Sequence, residues 1–236
     1  MIGLMYAFHP DFHTPDDSVV VWHYFSLAKF IGLLESSSLY FSRQDQFDDK
    51  GEGHLSLFDK NFLDQYSGMV SEHMESDKVG CYYANCWTMS EADEYVLWNT
   101  YASLSDGVVI RSTVGRIKDA LGREDERRVY MSDIQYFDEV TGSTFVASGG
   151  KVNLLALGFS KRKYFSAEKE LRLLYHDNDA KLNQNFPSGL LFKVDLHLLI
   201  ESVYVAPGAY LWFKDAVKHV LELYGLGSIN VLKSAI

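Results

Sequence analysis

Residues 22–53 read WHYFSLAKFIGLLESSSLYFSRQDQFDDKGEG, and the fold class turns on how that stretch is parsed. With Ser18–Val21 in front of it, the run to Phe25 is β-branched and aromatic, which predicts a buried strand. Ser26 then stands where a helix N-cap belongs, ahead of LAKFIGLLES, in which Leu27, Phe30, Ile31 and Leu34 recur at helical spacing. Leu39–Ser42 predicts a second short strand. A loop follows that holds Arg43, Asp45, Asp48, Asp49 and Glu52. A strand, helix and strand feeding a charged loop is a usual way to present reactive side chains from a rigid base.

Outward from this unit, strands are predicted over Gly80–Met89, Val108–Thr113, Arg127–Phe137, Glu168–His176, Leu190–Val194, Val203–Ala206 and the terminal SINVLKSAI. Helices are predicted from His54 to about Met74, from a Ser90/Asp93 capping box to Tyr101, from Thr113 to near Gly122, over Val152–Phe159 and over Ala209–Tyr224. The alternation is irregular, unlike βαβ winding, and no glycine-rich phosphate loop or internal repeat is present. Short connections predict a single α+β domain over residues 18–236, with mixed or antiparallel sheets of short strands flanked by helices. Residues 1–17 carry His9, Pro10, His13 and Pro15 with little periodicity and are expected to wrap the surface.

With 47% hydrophobic and 14% aromatic residues, the 236-residue chain can bury a sizeable core, which argues against disorder. A formal net charge of −10 argues against a protein that grips extended duplexes, though a local basic patch could still hold a nucleotide. No run approaches the ~18 apolar residues of a membrane span. The N-terminus lacks a basic region and a small-residue cleavage site, so a cytoplasmic protein without a membrane partner is expected. Cys81 and Cys86 are oddly spaced on a strand and would face opposite ways, which predicts free thiols. Two thiols without nearby histidines build no structural zinc site.

Several spaced motifs stand in order along the chain. They are Trp22 and Tyr24; Leu39, Tyr40, Phe41, Ser42, Arg43, Asp45, Phe47, Asp49, Glu52 and Gly53; Asn85-Cys86-Trp87; Leu97-Trp98 with Tyr101; Gly107; Lys161-Arg162-Lys163; and Glu168-x-Glu170-x-Arg172. In this series the chain resembles a bacterial family known only as a domain of unknown function, over roughly residues 19–232. It departs from that pattern at His23, where the family has arginine, and at Lys50 and Gly51, where it has proline and phenylalanine.

A second resemblance is one of layout, to ADP-ribosyltransferases. It implies that His23 on the first strand and Tyr40 on the second contact the ribose or base of a nucleotide of NAD type. It also implies that Glu170, on a late strand, is the catalytic carboxylate. Breaking a glycosidic bond develops positive charge at the anomeric carbon, which a fixed carboxylate stabilises. By strand alternation Glu168, Glu170 and Arg172 share one face and Leu171 and Leu173 the other. Trp98 and Tyr101, three apart on a helix, offer rings for stacking on a base, or else form core. Arg43, Lys161 and Arg172 are the candidate phosphate contacts. Asp49 and Glu52 are expected to organise the loop by bracing Arg43 or Arg172. NAD is the candidate substrate; no resident cofactor or metal is assigned.

Two other functions compete. The carboxylates Asp45, Asp48, Asp49 and Glu52 suggest a metal-dependent nuclease or phosphodiesterase, although their spacing matches no EF-hand. The third reading is a non-catalytic sensor or module that binds a protein partner. In either of these, Glu168, Glu170 and Arg172 would be a strand face of cross-strand ion pairs, and His23 a core histidine.

Overall fold

Strand β1 (Val20–Ser26) runs into helix α1 (Leu27–Ser36), which Ser26 caps by accepting from the Lys29 amide, and β2 (Ser38–Arg43) follows. The computed structural model describes residues 5–66, 82–122, 126–144, 146–148, 151–177 and 186–236. Its further strands are β3 (Tyr82–Met89), β4 (Gly107–Thr113), β5 (Val129–Asp133), β6 (Gln135–Phe137), β7 (Val146–Ser148), β8 (Lys151–Asn153), β9 (Ser160–Arg162), β10 (Glu170–His176), β11 (Gly189–Lys193), β12 (Ser202–Val205) and β13 (Asn230–Lys233). The helices after α1 are α2 (Leu57–Tyr66), α3 (Tyr95–Tyr101), α4 (Val114–Ala120), α5 (Leu196–Leu199) and α6 (Leu211–Leu223). Cys81 and the predicted helical residues 67–74 lie outside the described residues.

The main sheet is mixed, as the α+β reading expects, with antiparallel pairs throughout except for parallel β12 and β13. Its order is β11-β2-β3-β1-β4-β12-β13, with β10 and then β5 extending from β3. β10 follows β3 from Tyr82 to Thr88 along one edge. The other edge is shared: β2 takes Tyr83 and Ala84, and β1 takes Thr88 and Met89. Between those contacts β1 and β2 diverge, and the Asn85 side chain spans the split. Its amide donates to the Tyr40 carbonyl at 3.0 Å and accepts from the Trp87 indole at 2.7 Å.

Register fixes which side chains share a face. Trp22 stands opposite Thr88, and Thr88 opposite Glu170, so these three lie on one face with Cys86 and Arg172. Val21, His23 and Phe25 point the other way, with Trp87, Leu171 and Leu173, toward α1. On that second face Phe25, Phe30, Leu34, Phe41, Trp87 and Phe192 form the centre of the larger core. Under the first face a smaller core gathers Phe12, Tyr82, Ala84, Ile134, Phe159 and Leu174.

Several local expectations are corrected. Helix α3 starts at Tyr95 without a side-chain cap, because Asp93 is drawn away to accept from the Trp98 indole at 2.7 Å. The predicted helix over Val152–Phe159 is a 3₁₀ turn, Leu154–Phe159. The strand from Arg127 to Phe137 breaks at Ile134, whose N–H bonds the Glu170 carbonyl. The N-terminal segment does more than wrap the surface: Met5 and Phe12 are buried, one in each core, and Tyr6 bridges to Val129. No helix among the described residues is long and apolar enough to cross a membrane.

Gly107 begins β4 in a turn too tight for a side chain. A Cβ there would sit 2.4 Å from the Ser103 carbonyl oxygen and 2.7 Å from its nitrogen. Since both are backbone atoms, the turn itself must shift. Gly107→Ala is expected to cost about 1–3 kcal/mol in a denaturant titration, the range for overpacking; an unchanged midpoint would contradict the turn.

Candidate functional site

The start of β10 supports a buried ion cluster. Glu170 accepts from Arg172 Nε on one oxygen (2.6 Å) and from Lys161 Nζ on the other (3.3 Å). Arg172 also donates to Glu52 at 2.6 Å and to the Gly158 carbonyl at 2.9 Å, and its guanidinium lies over the Phe47 ring. Lys161 reaches two further carboxylates, Glu168 at 2.6 Å and Glu52 at 3.2 Å. Glu168 takes its other bond from the Tyr101 hydroxyl at 2.7 Å. The Glu170 amide donates to the Tyr136 hydroxyl. Three elements distant in sequence, the acidic loop, β9 and β10, are thereby tied through one lysine and one arginine.

Burial alone would raise the pKa of Glu170, but the Arg172 and Lys161 cations outweigh it and hold the carboxyl below its ordinary range. Burial would lower Lys161; Glu170 and Glu52 outweigh that and raise it. Arg172 is likewise held firmly charged by the same two glutamates against its desolvation. Burial and the adjacent Glu170 push the Cys86 thiol up, and burial pushes Tyr136 up to about 12. Three carboxylates (Glu52, Glu168, Glu170) thus face two cations, leaving one negative charge in excess. Chemically this is a fixed, ionised carboxylate in a dry setting that favours a positive charge brought to it.

The candidate residues fall into three groups. Glu170, Lys161, Arg172, Glu52 and Tyr101 come together in the cluster, while His23 does not. It lies on the opposite face of the sheet, stacked on Phe25 (centroids 4.2 Å) and edge-on to Trp87 (4.8 Å). Its Nδ1 is buried without a hydrogen-bond partner, and burial, with Lys29 nearby, lowers its pKa to about 3. Tyr40 lies on β2 with its ring at Gly189 and its hydroxyl at Ser188, and is 49% exposed. Trp98 has no exposed surface: it packs edge-on to Tyr24, and so is core rather than a stacking platform.

The candidate phosphate contacts and the basic residues next to them in sequence are already paired. Arg43 donates to Asp45 and to the Phe186 carbonyl, Arg162 to Asp49, Lys163 to Asp138 and Lys169 to Glu94. Lys161 and Arg172 are spent inside the cluster. The loop carboxylates diverge for the same reason: Asp45, Asp49 and Glu52 each turn to a different cation, and Asp48 is exposed. Among the described residues no group of three or more histidine, cysteine or acidic side chains is placed to hold a metal ion. Cys86, Tyr136 and Phe47 were not legible as cluster members, since each enters only through strand pairing or loop packing.

A separate cleft of about 360 Å³ opens at the far end of β10, lined by Arg127, Arg128, Tyr130, Leu155, Tyr175 and His176 among others. It shares no residue with the cluster.

The fold and site define an α+β protein with a split mixed sheet and a buried carboxylate cluster on one of its faces. No family model matches the chain, and neither does any curated protein. Among solved structures it is similar to Thermus sp. 2.9 DarT in complex with carba-NAD+ (TM-score 0.38) and to the same protein in complex with ADP-ribosylated ssDNA (TM-score 0.39). Each is 11% identical, with 94% of this chain and 97% of that one covered. A likeness of that size is one of outline and carries no argument about residues or chemistry.

Proposed function

We propose that the chain is an ADP-ribosyltransferase-like protein that takes a nucleotide of NAD type, with Glu170 facing the positive charge that develops as the glycosidic bond breaks. The observation that carries this reading is the state of Glu170. It is buried, bonded on both oxygens and held ionised. Preorganised charge of this kind needs no rearrangement when the transition state forms. Tyr101 and Glu168, the members of the cluster nearest solvent, face the incoming nucleotide. His23 has no part in this proposal because it lies on the other face; the paired Lys161 and Arg172 organise the site rather than bind phosphate, and Arg43 is paired outside it.

Glu170→Gln is the informative variant because it leaves two cations facing two carboxylates. The working charge is lost, and because the new amide N–H meets either Arg172 or Lys161, the variant is assayed at a temperature where circular dichroism shows it folded. NAD or ADP-ribose is expected to raise the melting temperature of the unmodified protein, since a ligand bound by the native state stabilises it. Release of nicotinamide from NAD is expected to fall by about 10²–10³-fold in Glu170→Gln. If neither ligand shifts the midpoint and the variant matches the parent, the transferase reading fails in favour of a non-catalytic module.

A further inference from the structure

We propose that Glu168 is a latch: its contact with Lys161 and Tyr101 closes the way to Glu170, and a ligand engages Glu170 only when that contact opens. The first support is exposure. The side chains of Arg172, Glu52, Glu170 and Lys161 are 0%, 3%, 4% and 7% exposed, whereas Glu168 is 17% exposed and Tyr101 46%. Nothing of ligand size reaches Glu170 unless an outer member moves; Glu168 with Tyr101 forms the outer layer beside Lys161, and the part-buried Phe47, Cys86 and Tyr136 complete the cover.

The second support is charge. Without Glu168 the cluster is a closed quartet of two cations, Lys161 and Arg172, and two carboxylates, Glu52 and Glu170, each cation within 3.3 Å of both carboxylates. Glu168 is the supernumerary carboxylate. Its departure leaves no buried charge unbalanced, so it is the one acidic member that can swing out without the penalty of stranding a cation. Removing Glu52 or Glu170 in the same way would break a link in the quartet.

The third support is the backbone. Glu168 ends a 3₁₀ turn, Lys163–Glu168, and the next residue, Lys169, is left-handed (φ 45°, ψ 50°). A lysine in that region is held at a cost that surrounding contacts must offset. The strand proper starts one residue later, at Glu170, so the latch and the residue it covers sit on opposite sides of this turn.

The latch rests on the reading of Glu170 given above, so its test carries an arm that needs no nucleotide. The Cys86 thiol lies beside Glu170 and is itself part-buried, so the unmodified protein sets a baseline rate of reaction. Its alkylation by iodoacetamide, followed by peptide-resolved mass spectrometry to separate it from Cys81, reports opening as a rise above that baseline. Glu168→Ala and the milder Tyr101→Phe are both expected to speed alkylation, Glu168→Ala by about tenfold, the worth of one hydrogen bond to a charged group. The global melting temperature should stay unchanged in Tyr101→Phe. In the second arm, association of NAD is expected to quicken in Tyr101→Phe. Equal alkylation rates in all three proteins, or a rise that merely tracks a loss of global stability, overturn the latch. Faster alkylation with no NAD binding in any of them keeps the latch and removes NAD as its ligand.

Discussion

Arg172→Met is expected to lower the free energy of unfolding by about 3–5 kcal/mol, the usual loss when one partner of a buried ion pair is removed. The side chain has no solvent exposure and donates to Glu170, Glu52 and the Gly158 carbonyl. Deleting it leaves three carboxylates around Lys161 alone, in a place shielded from bulk solvent. For a chain of this size the melting temperature should fall by roughly 6–20 °C. Guanidinium titration gives the free energy directly. The companion variant Glu52→Gln/Arg172→Met restores the original excess of one negative charge, now with Lys161 facing Glu168 and Glu170. It should therefore lose less than Arg172→Met alone, with a coupling of about 0.5–3 kcal/mol. A single variant within 1 kcal/mol of the parent would mean that the acidic loop is held by something other than this arginine.

Much of the fold was legible because its signals are local. The aromatic β1, the Ser26 cap and the alternation of Glu170 and Arg172 against Leu171 and Leu173 can each be read from a few neighbouring residues, and each is present. The site was less legible because its meaning depends on partners far away in the chain. Lys161 reads as a phosphate contact within a basic run, yet the carboxylates of Lys161-Arg162-Lys163 stand at Glu52, Glu168, Glu170, Asp49 and Asp138. The pairing Arg162–Asp49 spans 113 residues, and no periodicity encodes it. His23 failed for a related reason. Its strand was read correctly, but its face depends on Trp22 meeting Thr88, and a one-residue slip would have reversed it. What one sequence conceals here is register and charge pairing rather than secondary structure.

That placement of His23 governs the first acid stage of the protein's stability profile. An imidazole whose pKa is lowered from 6.5 to about 3 by burial stays neutral in the fold while the unfolded chain takes up a proton. The unfolded state then binds more protons, so stability falls as pH drops below 6.5. The slope is at most about 1.4 kcal/mol per pH unit, or up to about 2.7 kcal/mol by pH 4.5. Below 4.5 Glu170 joins with the same sign, because its carboxyl is depressed in the fold and its contribution disappears as pH falls toward the lowered value. Lys161 acts at the other end. Its raised pKa keeps its contribution complete below 10.5 and loses it only as pH rises beyond that. Guanidinium midpoints should accordingly be level from about pH 7 to 8.5, above which the unfolded chain ionises the Cys86 thiol that the fold keeps neutral, and fall in two stages in acid. His23→Phe separates the stages. A phenyl ring suits the stack with Phe25 and Trp87 and removes the unpartnered Nδ1, so the decline between pH 6.5 and 4.5 should flatten while the steeper limb below 4.5 remains. An imidazole that titrates near 6.5 by NMR, or a variant with the parent's slope, would place His23 in water and undo the register from which its face was assigned.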